Sequence, residues 1–207
     1  MKLEEFIKLT EEHPVIELSA FFGDDKGIRV QVSQWVKTGK LIMLKRGYYI
    51  LGDRYRKINP YELHIASVLK RPSYVSLEKA LEFYGLIPEM VVPYTSVTTK
   101  RQNEYRNEIG IFEYRHIKKE LFWGYSALTK EKQTCYIASP EKAILDFFYL
   151  QKNDISDDFI EEMRFQNTDR LDVRKFKKFA DKFETKRLAK ASERMIRYIE
   201  AQEENTL

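Results

Sequence analysis

Residues 28–51 constrain the fold more than any other stretch of the chain. An amphipathic run with Ile28, Val32 and Trp35 at helical spacing stops at Gly39, because glycine tolerates the left-handed backbone that ends many helices. Two short apolar runs follow, joined by a basic turn at Lys45-Arg46-Gly47. A helix followed directly by a basic hairpin is the layout of a winged helix-turn-helix, which makes double-stranded DNA the first partner to consider.

Basic residues are concentrated in the same part of the chain. The formal net charge of the 207 residues is only +4, yet residues 24–58 contain nine basic and three acidic residues. A local excess of Lys and Arg is typical of a surface that faces phosphates, although a solvated basic face has the same composition.

The rest of the composition limits the class of protein and the cellular compartment that we expect. No run reaches the roughly 18 apolar residues that a membrane helix needs, so we expect no membrane partner. The first residues lack the apolar region of a signal peptide, and the single Cys135 has no internal disulfide partner, so we expect a cytoplasmic protein. One Cys and three scattered His residues exclude a zinc finger, and we expect neither metal nor cofactor.

Turn and capping signals divide the chain into two predicted domains. Asn59, Pro60 and Glu62 are typical of a helix start, so we predict a winged helix-turn-helix domain over residues 1–58 and a second domain over residues 59–207. The second domain alternates predicted helices with predicted strands. Its helices are expected at 61–69, 77–84, 140–150, 158–165, 173–183 and 187–200, and its strands at 91–92, 94–99, 110–117 and 134–138. The fold class is therefore α+β, with a small β-sheet, several helices and a helical tail after the N-terminal domain.

Four patches of the sequence carry a family resemblance. They are Gly39-Lys40-Leu41 with Lys45-Arg46-Gly47-Tyr48-Tyr49-Ile50, residues 74–89, residues 96–100 with 112–117, and residues 137–146. In this order the chain resembles AbiEi-type antitoxins, the transcriptional-regulator half of the abortive-infection type IV toxin–antitoxin systems. The second and fourth patches are the more specific, and residues 151–207 match only as a helical tail.

The resemblance implies both a fold and a function. It implies an N-terminal DNA-binding domain that represses its own operon, and a C-terminal domain that opposes a cognate toxin resembling a nucleotidyltransferase. Contact with that toxin and the oligomeric state both stay open. A second interpretation is a protein-interaction module that neutralises a toxin without a role on DNA.

The predicted DNA contacts lie on the helix predicted before Gly39, the third of the N-terminal domain, and on the hairpin turn. Gln31 and Gln34 are expected to bind adenine and Arg29 guanine, whereas Ser33 and Lys37 are expected to bind phosphates. Lys45 and Arg46 are placed at the hairpin tip, against the DNA backbone or the minor groove. Trp35 and one of the two tyrosines Tyr48 and Tyr49 are expected in the core. The alternative for the polar positions is an ordinary solvated helix face.

A second basic surface is predicted near the C-terminus. Residues 168–198 hold eleven basic and five acidic residues around an apolar stripe that includes Phe176 and Phe183. The candidate contacts for nucleic acid or an acidic protein are Arg174, Lys175, Lys178 and Lys182. The alternative is a pair of helices whose Lys and Arg side chains face water.

An enzyme is not expected, and no catalytic residue is assigned. His13, His64 and His116 have no metal-ligand spacing, and Cys135 lies in an apolar strand, where a thiol is usually inert. The remaining enzymatic alternative is a metal-dependent nuclease. It would require Glu113, Glu141 and Asp146 to converge in space.

Overall fold

The protein is described from a computed structural model that covers residues 1–204, apart from the side chain of Glu203. It is a mixed α and β structure with two separate sheets. None of the helices within residues 1–204 is long and apolar enough to cross a lipid bilayer.

The N-terminal part contains three helices and a three-stranded sheet. Its elements are α1 (Leu3–Thr10), β1 (Ile16–Glu17), α2 (Leu18–Phe22), α3 (Lys26–Lys37), β2 (Leu41–Lys45) and β3 (Tyr48–Leu51). The sheet is antiparallel with the strand order β1-β3-β2. Phe6, Val32 and Trp35 form the centre of an apolar cluster between the helices and the sheet, which confirms that Trp35 is a core residue.

The β2–β3 hairpin is buried on both of its faces. Successive side chains of a strand point to opposite faces, and here Tyr49 and Leu51 join the N-terminal cluster while Ile50 joins the larger apolar cluster of the remaining chain. On β2, Leu41 packs into the first cluster and Leu44 into the second. The hairpin is therefore shared between the two apolar cores.

The rest of the described chain forms a six-stranded sheet with helices. The elements are α4 (Glu62–Leu69), β4 (Tyr74–Val75), α5 (Leu77–Phe83), β5 (Tyr94–Thr98), β6 (Asn103–Asn107), β7 (Gly110–His116), β8 (Tyr125–Lys130), β9 (Gln133–Ala138), α6 (Pro140–Leu150), α7 (Asp157–Glu162), α8 (Val173–Asp181) and α9 (Lys186–Glu204). The strand order is β6-β7-β5-β4-β9-β8, in which the pairs β5–β7 and β4–β9 are parallel and the others antiparallel.

The predicted helices, both strands of the predicted hairpin and three of the predicted strands of the second domain are present, with ends that differ by up to a few residues. The six-stranded sheet has more strands than were predicted, since β4, β6 and β8 were not recognised, and the predicted strand at residues 91–92 is absent. The predicted cap at Asn59 was also wrong. α4 begins at Glu62, and the carbonyl of Asn59 instead accepts a hydrogen bond from the Gln133 side chain at 2.9 Å.

Helix α6 is the central helix of the larger part. Ser139 caps it by accepting a hydrogen bond from the backbone N–H of Lys142 at 3.4 Å, and Pro140 occupies the first turn, where a missing N–H costs nothing. Every residue from 141 to 148 is buried, since α6 packs against α5, α8 and α9. Any charged side chain in this run must therefore find its partner inside the protein.

Candidate nucleic-acid interface

The outer face of α3 is the first candidate surface. Asp25 caps the helix by accepting hydrogen bonds from the N–H groups of Gly27 at 2.7 Å and Ile28 at 3.3 Å. The apolar face is buried through Ile28, Val32 and Trp35, so the opposite face points away from the core. That face exposes Arg29, Ser33, Gln34 and Lys37.

Two of the side chains predicted to contact bases, Arg29 and Gln31, are less available to DNA than the prediction assumed. The guanidinium of Arg29 forms an ion pair with Asp24 at 2.6 Å, and both side chains are well exposed. Gln31 is only partly exposed, and its amide oxygen is buried without a hydrogen-bond partner in the described residues. Gln31 is thus less available for a base edge than Gln34, which lies in the open on the outer face.

Lys45 does not extend from a free hairpin tip as predicted. Its ammonium donates a hydrogen bond to the Leu69 carbonyl at 2.5 Å and lies 4.0 Å from the centre of the Tyr48 ring. The reason is that the second face of the hairpin packs on the larger core, which turns Lys45 toward the last turn of α4. A cation suits this position because the final carbonyls of a helix carry partial negative charge. Arg46, the next residue, is exposed at the turn.

The four cations predicted as a second basic surface do not form one free patch. Arg174 and Lys178 are exposed on α8, but Lys175 forms an ion pair with the buried Glu141 at 2.8 Å. Lys182 lies 4.6 Å from the centre of the Trp123 ring, a cation–π distance. Lys175 and Lys182 therefore interact with groups within the protein, although Lys182 is itself exposed.

A buried polar cluster is the site that the sequence analysis missed. Lys142 and Asp146 lie one turn apart on α6, are both fully buried, and form an ion pair. Asp146 also accepts hydrogen bonds from the hydroxyls of Tyr74 at 2.9 Å and Ser76 at 2.8 Å. The ammonium of Lys142 donates to the Tyr74 hydroxyl at 3.0 Å and lies 4.8 Å from the centre of the Trp123 ring. The one available signal was a Lys and an Asp four residues apart in an otherwise apolar helix.

Burial dominates the electrostatics of this cluster. It lowers the pKa of Lys142, opposed by the attraction of Asp146. It raises the pKa of Asp146, opposed by Lys142 and by the hydrogen bonds from Ser76 and Tyr74. Both shifts express the cost of removing charge from water. The cluster has no exposed atom to offer a ligand, so its role is to join β4, the start of α5 and α6.

Two of the three carboxylates that a nuclease would require are bound to other groups within the protein. Asp146 is enclosed in the buried cluster, whereas Glu141 binds Lys175 and the Ser139 hydroxyl. Among residues 1–204, no group of three His, Cys, Asp or Glu side chains has the geometry of a metal site. Burial raises the pKa of the Cys135 thiol to about 11, which keeps it protonated and unreactive near neutral pH.

A scan against models of known protein families finds no match for this chain, and a search of proteins with curated functions also finds none.

Proposed function

We propose that this protein is a DNA-binding transcriptional regulator that represses its own promoter through a winged helix-turn-helix in residues 1–58. The element order α1-β1-α2-α3-β2-β3 and the strand order β1-β3-β2 support this interpretation, since α3 follows α2 after a short turn and precedes a two-stranded hairpin. The observation that carries the proposal is the outer face of α3. It exposes polar and basic side chains on a helix whose other face is fully packed.

The chemistry of that face fits a DNA major groove. The amide of Gln34 has the donor and acceptor pair that binds the N6 and N7 edge of adenine. Ser33 and Lys37 bind phosphates beside it, and Arg46 at the hairpin turn binds the backbone next to the groove. Arg29 pairs with guanine once its ion pair with Asp24 opens.

The antitoxin role is the second half of the proposal and rests on the resemblance to AbiEi-type antitoxins. Two of the patches behind that resemblance, 74–89 and 137–146, are joined in the structure by the bonds of Tyr74 and Ser76 to Asp146. The proposed partner is a cognate nucleotidyltransferase-like toxin, opposed by residues 59–207. A protein-interaction module without a role on DNA is the competing function.

The DNA role is tested with the DNA upstream of the protein's own gene. Binding is measured by fluorescence anisotropy for the wild type, for the double variant Gln34→Ala/Arg46→Ala, and for Lys190→Ala, which removes one exposed cation from α9. We expect the double variant to lose sequence-specific binding and Lys190→Ala to keep it. Specific binding that survives in the double variant contradicts the assignment of the interface.

The antitoxin role is tested with the full-length chain. Deletion of residues 1–58 would also remove Leu44 and Ile50 from the larger core, so loss of rescue in a truncated protein would have two explanations. The full-length Gln34→Ala/Arg46→Ala variant avoids this problem. We expect it to rescue cells that express the neighbouring toxin gene, because toxin neutralisation does not require DNA. Failure to rescue at equal protein level contradicts a separate antitoxin function.

A further inference from the structure

Three chain segments bring four basic residues together where the hairpin meets the six-stranded sheet. Lys45 lies at the end of β2, Lys70 and Arg71 directly follow α4, and Lys100 follows β5. We refer to these four residues as the seam cluster.

Hydrogen bonds hold the three segments in place. The Lys45 ammonium binds the Leu69 carbonyl at 2.5 Å, which ties β2 to the end of α4. The Thr98 hydroxyl donates to the Pro72 carbonyl at 2.6 Å and accepts from the N–H of Lys100 at 3.2 Å, which ties the end of β5 to the segment after α4. The Asn107 amide donates to the Leu44 carbonyl at 3.0 Å, so β6 also holds the hairpin. The proximity of the four cations thus follows from the backbone framework.

The positive charge of the seam cluster is poorly compensated within the protein. Lys45 and Lys70 donate to neutral oxygens, those of Leu69 and Asn103. Arg71 and Lys100 are exposed, and in the described part of the chain neither has an ion-pair partner. The carboxylate of Glu17 on β1 attracts Lys45 and accepts a hydrogen bond from Tyr48.

The electrostatic balance agrees with this geometry. Burial is the main cause of the lowered pKa of Lys45, and the charges of Lys70, Lys100 and Arg71 lower it further against the attraction of Glu17. The pKa of Lys70 is also lowered, by burial and then by Lys100. Repulsion among these like charges opposes their presence in the free protein, and an anion bound between them would relieve that repulsion.

We propose that the seam cluster binds backbone phosphates of the duplex that the α3 face recognises, so that both parts of the protein contact the same DNA. The inference rests on the proposed DNA-binding function. DNA is the favoured anion because the cluster is continuous with the proposed interface: Lys45 is adjacent in sequence to Arg46 at the exposed hairpin turn. A DNA backbone also supplies several phosphates in a row, which suits cations contributed by three segments better than a single small anion does.

The salt dependence of binding provides the test. The double variant Arg71→Ala/Lys100→Ala removes two exposed cations that pair with no carboxylate among the described residues, so the fold should be retained, as circular dichroism would verify. We expect weaker binding to the upstream DNA. The slope of log K against log salt concentration should become shallower by about 2, since each phosphate contact contributes roughly 0.9. Discrimination between the upstream DNA and a scrambled duplex should persist, because the variant leaves the α3 side chains intact.

A matched control has the same change in net charge. Lys186→Ala/Lys190→Ala removes two exposed cations from α9, and this variant should keep the wild-type slope. An unchanged slope in Arg71→Ala/Lys100→Ala, or an equal loss in the α9 control, overturns the seam proposal and leaves the proposed function in place. In the remaining outcome the wild type binds inorganic phosphate but no duplex, and the Arg71→Ala/Lys100→Ala variant loses the affinity for phosphate. The seam cluster is then a small-anion site and both proposals fail.

Discussion

The ammonium of Lys142 and the carboxylate of Asp146 form an ion pair one turn apart on α6 with no solvent contact. Removal of one partner leaves the other charge buried and uncompensated, whereas removal of both leaves mainly a packing problem. We therefore expect Asp146→Ala to lower the free energy of unfolding by about 3–5 kcal/mol. Urea unfolding followed by circular dichroism measures this change.

The double variant Lys142→Met/Asp146→Leu is the companion measurement. It should be no less stable than Asp146→Ala, although the hydroxyls of Tyr74 and Ser76 lose their acceptor. The interaction energy from the cycle of Lys142→Met, Asp146→Leu and their double variant should be roughly 1–3 kcal/mol. Additive losses would show that the ion pair contributes no coupling.

Sequence patterns predicted the helices well because their apolar faces repeat at helical spacing. Four strands were not predicted, among them the two-residue β1, and three of them belong to the six-stranded sheet. β4 has two residues, too few for any alternation, whereas β6 and β8 form the two edges of the sheet and expose many polar side chains. A local sequence pattern also could not predict that the hairpin is shared between the two apolar cores. Burial of its second face depends on residues that follow it in the sequence, among them those of β6.

At the candidate sites, too, features set by local sequence could be predicted, whereas features set by contacts distant in sequence could not. Exposure of Arg29, Ser33, Gln34 and Lys37 followed from the helical period of α3 alone. The position of Lys45 and the bonds between Tyr74 and Asp146 depend on contacts across 24 and 72 residues of sequence. Such contacts are products of the fold, and periodicity carries no information about them.

Glu141 makes stability depend on pH in a defined direction. Burial acts to raise its pKa, but hydrogen bonds from Lys175, Ser139 and the backbone favour the charged form more strongly, and the net pKa is lowered. A carboxylate with a lowered pKa stabilises the fold above its usual unfolded pKa of about 4, and the contribution is lost as the pH falls through the folded value. Lys175→Ala should therefore destabilise the protein at pH 7 and have a smaller effect at pH 3. Urea unfolding at the two pH values, with Lys178→Ala as the exposed control on α8, measures the difference; an equal effect of Lys175→Ala at both values contradicts the assignment.

In the proposed complex with DNA, Asp24 would compete with the DNA for Arg29. Its carboxylate pairs with the guanidinium at 2.6 Å and also places a negative charge beside the proposed interface. Asp24→Asn frees Arg29 without changing the helix cap, which Asp25 provides. We expect affinity for the upstream DNA to rise roughly two- to five-fold, in keeping with the modest strength of exposed ion pairs. Glu4→Gln on the exposed side of α1 removes the same charge elsewhere. An equal gain in DNA affinity in that variant would mean that net charge alone explains the effect of Asp24→Asn.

Gly39 and Gly52 meet at the base of the hairpin and respond differently to an added methyl group. Gly39 has a φ of +68° and open space around it, so Gly39→Ala should cost about 1–2 kcal/mol of stability through backbone strain alone. At Gly52 a methyl group would collide with the carbonyl oxygen of Gly39, and the hydrogen bond from the Gly52 N–H to the Lys40 carbonyl, 2.9 Å, would have to shift. We expect Gly52→Ala to cost about 2–4 kcal/mol.

The same pair of variants also tests whether hairpin position matters for DNA binding. The strain in Gly39→Ala lies at the end of α3, whereas the collision in Gly52→Ala displaces β3 relative to β2 and so moves Arg46. At a temperature where both variants are fully folded, Gly52→Ala should bind the upstream DNA more weakly than Gly39→Ala does. Anisotropy titrations beside urea unfolding separate the two effects. Equal affinities would mean that the hairpin turn does not position a DNA contact, and the interface would then reduce to the outer face of α3.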